Sequence, residues 1–239
     1  MTIRVIDLET TGVDPAADRI VEIAACDIVR DIGLYNIANI RQDVVDPGIP
    51  IPPAASAVHH LIDADVQGCR TIREVLPPYL ETDDNRLVFV AHNASFERDF
   101  LTPLMGDTAG NWICTYRCAL RIWPDLPAHS NQFLRYHLGL TDPFGIPRAI
   151  IDPHRALSDC YITGAIFTEL IKHAKFNDLL HWSTEPPLHT TLNFGKHKGQ
   201  RYDAAPSEYL DWLANKADQI RPDVKWSATY WLNQKTKAA

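Results

Sequence analysis

The chain reads as an α/β protein: a mixed sheet flanked by helices, followed by a small C-terminal α+β module. Two patterns carry that reading. Strand-like stretches at residues 2–9, 19–29 and 34–45 follow one another with short links, as in an antiparallel meander. After residue 47 the periodicity changes, and helical segments alternate with strand-like ones, which calls for parallel strands joined by crossover helices.

The first stretch is rich in β-branched residues and stops at Gly12, and Arg30-Asp31-Ile32-Gly33 turns the second strand into the third. An irregular connection over 47–53 leads to a short helix near 54–60 and a longer one over 71–80. Residues 87–91 are wholly apolar, the mark of a parallel strand buried on both faces. A helix over 94–104, a short strand at 112–114 and helices at 116–122 and 131–138 come next. Three prolines and a glycine make 141–153 a loop. Asp152 as N-cap and Pro153 at the first helical position then predict the start of the longest helix, which runs to about residue 174. Residues 179–187, with Glu185-Pro186-Pro187, read as a linker. Beyond them 190–202 reads as a hairpin with glycines at its turns, and 207–215 as a helix with Tyr209, Leu210 and Leu213 on one stripe. The expected organisation is a domain over 1–178, the linker 179–187 and a small basic module over 188–239.

With 239 residues and 46% apolar content, one sizeable core and a small appendage are affordable. No apolar run approaches the roughly 18 residues of a membrane span and no charged-then-apolar leader opens the chain, so a cytoplasmic protein with no membrane partner is expected. Five cysteines without Cys-x2-Cys spacing argue against a disulfide framework or a zinc site and for buried thiols. The net charge of −7 does not suit a protein that coats nucleic acid. It is unevenly spread: the part from Asn193 onward carries +3, and residues 1–192 carry −10. An acidic body can still bind a phosphate chain where metal ions supply the positive charge.

The chemistry starts in the first strand. Alternation puts Asp7 and Glu9 on the face begun by Ile3 and Val5, where two carboxylates are costly unless a cation neutralises them. In the helix over 94–104, Glu97 shares a face with Phe100, Leu101 and Leu104, while Asp99 falls on the solvated side. In the longest helix Asp159 joins the apolar stripe of Ile162, Ile166 and Leu170. Four acids on faces that ought to be apolar repel one another without metal. One carboxylate bridging two ions about 4 Å apart is the arrangement that stabilises attacking and leaving oxygens in phosphoryl transfer. An all-oxygen ligand set favours hard ions, Mg2+ or Mn2+. His154, five residues before Asp159, points about 140° away from it on a regular helix and therefore belongs on the loop or an unwound turn. A neutral imidazole there suits removal of a proton from water near neutral pH.

The motifs Asp7-Leu8-Glu9-Thr10-Thr11-Gly12, Ala91-His92-Asn93-Ala94-Ser95-Phe96-Glu97 and His154-x4-Asp159 resemble those of the DEDDh family of 3′→5′ exonucleases. The resemblance covers about residues 3–172 and implies a ribonuclease H-like fold. Glu97 stands where the family usually carries Asp. The family's chemistry implies two Mg2+ or Mn2+ ions, with Asp7 on both, Glu9 and Asp159 completing one, Glu97 on the other, and His154 activating water. It implies further that Thr10 and His59 contact the terminal nucleotide and that Asn93 contacts substrate or braces the site. Local matches, at residues 51–59, at 112–115 and in the C-terminal Phe194-Gly195-Lys196-His197-Lys198-Gly199, favour a branch acting on DNA 3′ ends, with RNA as the alternative substrate and a non-catalytic binding or polymerase-docking protein as a third reading. The basic tail is either an extra phosphate contact, through Lys196, Lys198 and Arg201, or a module that docks or stabilises. Its partner protein, if any, is not specified by the sequence.

Overall fold

Five strands form one sheet in the order β3-β2-β1-β4-β5. The structure, a computed structural model, describes residues 1–105 and 111–238; residue 239 of the expected module lies outside it. The strands are β1 (Thr2–Thr10), β2 (Ile20–Asp31), β3 (Leu34–Val44), β4 (Leu87–Ala91) and β5 (Asn111–Cys114). The first three are antiparallel neighbours, and β4 and β5 add parallel to the other edge of β1, as the change of periodicity predicted.

Helices cover both faces. On one side lie α1 (Pro53–His59), α2 (Asp63–Val66), α3 (Ile72–Val75), α4 (Pro77–Leu80) and α5 (Ser95–Met105); on the other, α6 (Thr115–Ile122), α7 (Asn131–His137), α8 (Ala156–His173) and α9 (Phe176–Thr184). The odd residues of β1 face α8: Val5 packs with Ala24, Cys26, Val88 and Val90 against Ile162, Ile166 and Phe167. The even residues face the other layer, where Ile6 and Leu8 meet Tyr79, Phe100 and Leu101. Gly164 lets α8 settle onto the sheet, since a Cβ there would lie 3.0 Å from Ile28 and 3.4 Å from Val5.

Several expectations need correction. The helix over 71–80 is two short ones, because Pro77 and Pro78 cannot donate backbone hydrogen bonds to continue the first. Asp152 does not cap α8, which starts at Ala156; His154 adopts a left-handed φ of 62°, which interrupts any earlier start. Residues 179–184 are not linker but the body of α9, anchored by the fully buried Leu179. The 190–202 hairpin reduces to a single bridge between Thr191 and Arg201. Of the cysteines, four are buried and Cys69 is partly exposed, all unpaired.

The C-terminal part has a core of its own. Leu192, Tyr202 and Ala205 pack with Leu210 and Leu213 of α10 (Ser207–Asn215) and Ala228 of α11 (Pro222–Ala238). It docks through Arg121 of α6, which pairs with Glu185 at 2.5 Å and lies over the rings of Trp182, Trp226 and Tyr230 at 5.7, 5.1 and 5.3 Å. Arg201 is taken up by Asp125 and Asp203.

At the far end of β1 from its acids, Arg4 is 2% exposed and forms a two-pronged pair with Asp27 at 2.7 and 2.9 Å. Its remaining nitrogen donates to the carbonyls of Tyr79 and Glu81, both at 2.8 Å. Removing one member of such a pair strands a buried charge. Arg4→Met is expected to cost about 3–5 kcal/mol in denaturant unfolding, and the double variant with Asp27→Leu should be more stable than either single change.

Candidate active site

Strand parity builds the first half of the site. Asp7 stands opposite Ala24 and Glu9 opposite Glu22 in the β1/β2 ladder, so both acids emerge toward α8, Asp7 beside a residue small enough to leave room. Between Glu9 and Thr10 the register slips, a bulge at the site itself, and Thr10 then pairs with Ile20. Thr10 is nearly buried and donates its hydroxyl to the Gly12 carbonyl at 2.5 Å. The following loop closes on Asp18, which accepts from the Thr11 hydroxyl and the Asp14 N–H. Its carboxylate lies 2.4 Å from where a Cβ on Gly12 would be, so a larger residue there would push Asp18 off those bonds.

The other half comes from α8. Asp159, in its first turn, places an oxygen with those of Asp7 and Glu9 so that all three ligand atoms lie within 4.8 Å of one another. Its two oxygens accept from Gln132 Nε2 at 3.1 Å and from the His154 N–H at 3.0 Å. His154 sits on the turn before the helix, exposed, as its spacing from Asp159 required.

Glu97, at the start of α5, is 3% exposed and stands outside the tight trio, close enough to raise the Asp7 and Glu9 carboxyls. Its Oε2 is buried and has no hydrogen-bond partner. Asp99 is solvent-exposed beside Arg98. Asn93 takes a left-handed φ of 69° in the β4–α5 turn, with its Oδ1 accepting from Ser95, which is a turn-forming posture. His59 is buried on α1 with Nδ1 accepting the Leu61 N–H and Nε2 without a partner.

Three participants were not singled out from sequence. Glu22, fully buried, accepts from Arg155 Nε and Nη2 (3.1 and 2.7 Å), the Ala156 N–H (3.0 Å) and Gln42 (2.7 Å). Burial pushes its carboxyl up, but the bonds from Arg155, Ala156 and Gln42 outweigh it and hold the group below its usual range. Gln132 steadies Asp159. His92, inside a quoted motif, is structural: it bridges Thr115 and the His129 carbonyl, both at 2.9 Å, and burial drives its pKa down to about 4. Only the parity of Glu22 opposite Glu9 offered a signal, and its partners Arg155 and Ala156 are 133 and 134 residues away.

The remaining acids are poised oppositely to Glu22. Burial, then Asp159, Glu97 and Glu9, push Asp7 well above the carboxylate range. Burial and Asp159 raise Glu9 to about 8, and burial raises Glu97 to about 8. Burial lifts Asp159 as well, against the pull of the His154 N–H and imidazole and of Gln132. Converging carboxylates that would otherwise hold protons, together with an orphaned buried Oε2, fit hard divalent cations coordinated by oxygen.

The family model described as Exonuclease matches residues 5–167, and the chain belongs to that family; it is a nuclease, and its mixed sheet flanked by helices is the family's ribonuclease H-like fold. Exodeoxyribonuclease 10 of Escherichia coli strain K12 is 34% identical over 237 residues, covering 96% of this chain and 98% of its own. DNA polymerase III subunit epsilon of Aquifex aeolicus is 30% identical over 179 residues, covering 73% of this chain and 83% of its own. The solved structure of exonuclease X in complex with 5′ overhanging duplex DNA matches with a TM-score of 0.61 at 33% identity, over 76% of this chain and 99% of that one.

The raised carboxyls set the pH response of the metal-free protein. Glu9 and Glu97 bind protons more tightly folded than unfolded, so the stability they contribute is full below about pH 4.5 and is lost as pH rises through about 8. Thermal melts in chelator should show the melting temperature falling across that window, and added Mg2+ should recover it at pH 8.

Proposed function

We propose that the protein is a 3′→5′ exodeoxyribonuclease of the DEDDh type, which shortens single- or double-stranded DNA from its 3′ end, releases nucleoside 5′-monophosphates and serves DNA repair or proofreading in the cytoplasm. The observation that carries this is the convergence of Asp7, Glu9 and Asp159 within 4.8 Å, with His154 at their rim. The likeness to exodeoxyribonuclease 10 over nearly the whole length favours DNA over RNA.

Asp7 would hold both of two Mg2+ or Mn2+ ions, Glu9 and Asp159 would complete the shell of one, and Glu97 would hold the other directly or through water. When bound, the ions supply positive charge to the scissile phosphate and its attacking and leaving oxygens. His154 takes a proton from the attacking water, whose oxygen bonds to phosphorus as the P–O3′ bond breaks. Exposure of His154 leaves its imidazole free to pass that proton to solvent. His59, buried with an open Nε2, and Thr10 at the bulge bind the terminal nucleotide. Asn93 shapes the β4–α5 turn that delivers Glu97. The division of the chain into a catalytic body and a basic module from 188 is part of this reading. Within the module Lys196 and Lys198 remain exposed for phosphate contact, whereas Arg201 is already paired.

The test is cleavage of matched 5′-labelled DNA and RNA oligonucleotides with Mg2+ or with chelator. A DNA ladder shrinking stepwise from the 3′ end, absent with chelator and far weaker on RNA, is expected; preference for RNA makes the protein an exoribonuclease, and no cleavage of either leaves a binding role. Asp7→Ala and Asp159→Ala should abolish hydrolysis with melting temperature preserved, since both relieve repulsion. His154→Ala should lower the rate about 10²–10⁴-fold. For the module, replacing both Lys196 and Lys198 by Ala should reduce the slope of log affinity against log salt by about 1.4–1.8; an unchanged slope makes it a docking or stabilising element.

A further inference from the structure

Glu22 is an acid beside the metal-ligand cluster that cannot act as a ligand. Its Cα pairs with that of Glu9, yet both of its oxygens are consumed by four donors, three of which belong to Arg155 and Ala156. Those two residues are the N-cap and the first residue of α8, and Arg155 itself makes no side-chain cap. The helix is therefore capped from a strand 133 residues away in sequence, by a carboxylate with no solvent exposure.

The residue before this anchor is His154. It is held in a left-handed conformation, its N–H donated to Asp159 on one side and the Arg155 side chain and Ala156 N–H tied to Glu22 on the other. A left-handed non-glycine residue persists only where its surroundings over-determine it. Asp159 has a second restraint in Gln132, whereas the described residues offer His154 only these two anchors. We infer that the Glu22–Arg155 pair is a positioning device for His154: it fixes the turn from which the imidazole reaches the attacking water, and acts on turnover through that histidine rather than through metal or DNA binding. This rests on the general-base role given to His154 above.

The experiment is a double-mutant cycle in the full-length protein, with Mg2+ and a labelled DNA oligonucleotide. Arg155→Ala and Glu22→Gln are each made in the wild-type and His154→Ala backgrounds; Arg155 is 30% exposed, so its variant remains informative if Glu22→Gln fails to fold. Each is expected to lower kcat about 10–100-fold with KM and the Mg2+ midpoint within about twofold, and to cost less than about threefold once His154 is gone. An equal loss in both backgrounds, or a loss carried by KM or the Mg2+ midpoint, overturns the positioning role and leaves Glu22 a stabilising cap. If His154→Ala alone turns over at the wild-type rate, the general-base reading and this inference fall together; a slow His154→Ala with an additive cycle removes only the inference.

Discussion

The structure is arranged around mutual repulsion among four carboxylates at the end of β1. Asp7, Glu9 and Asp159 crowd within 4.8 Å, and Glu97 is buried behind them with an oxygen unmatched. A fold relaxes such a cluster by supplying protein donors or by leaving it to cations. Here the donors are distributed selectively. Glu22 receives four and Asp159 two, whereas Asp7 and Glu9 crowd against Asp159 and the buried Glu97 Oε2 has no partner. Arg155, whose charge reaches Glu9, is tied by its hydrogen bonds to Glu22 rather than to the cluster itself.

That partition depends on how closely α8 approaches the sheet. Gly164 allows the helix to lie on Val5 and Ile28, and Cys160 donates its thiol to the carbonyl of Ala24, the residue paired with Asp7. A glycine in mid-helix weakens the isolated helix by about 1 kcal/mol relative to alanine, a cost offset by the packing of Ile162, Ile166, Phe167 and Leu170, all fully buried. With the helix seated this low, its first turn meets the end of β1 and Asp159 reaches the acids without a long side chain.

Much of this was legible in the chain because short-range periodicity carries it. Period two places Asp7 and Glu9 on one face, and steps of three and four place Glu97 and Asp159 on apolar stripes. The displacement of His154 from the helix followed from the same arithmetic. The α8 cap was not legible. Asp152-Pro153 has a strong local signature, and the competing cap, Glu22, is defined only by tertiary contact. Helices α9 and α11 escaped for a related reason. Pro186-Pro187 invites a linker reading, and the aromatic residues of α11 pack on another part of the chain rather than forming a clean stripe. The hairpin shrank to one bridge because its side chains bury against α10 and α11 instead of against a sheet.

The seat of the C-terminal module bears on how its contribution can be dissected. Arg121 is 8% exposed, surrounded by Trp182 from the body and by Trp226 and Tyr230 from α11. Severing the chain after the two prolines would strip two aromatic walls from a cation that the body keeps, and lay open the indole of Trp182 as a sticky patch. A truncated enzyme would thus differ from the whole in solubility and in the footing of α6 and α9 as well as in charge, so any slowing it showed would mix a wounded body with a missing tail.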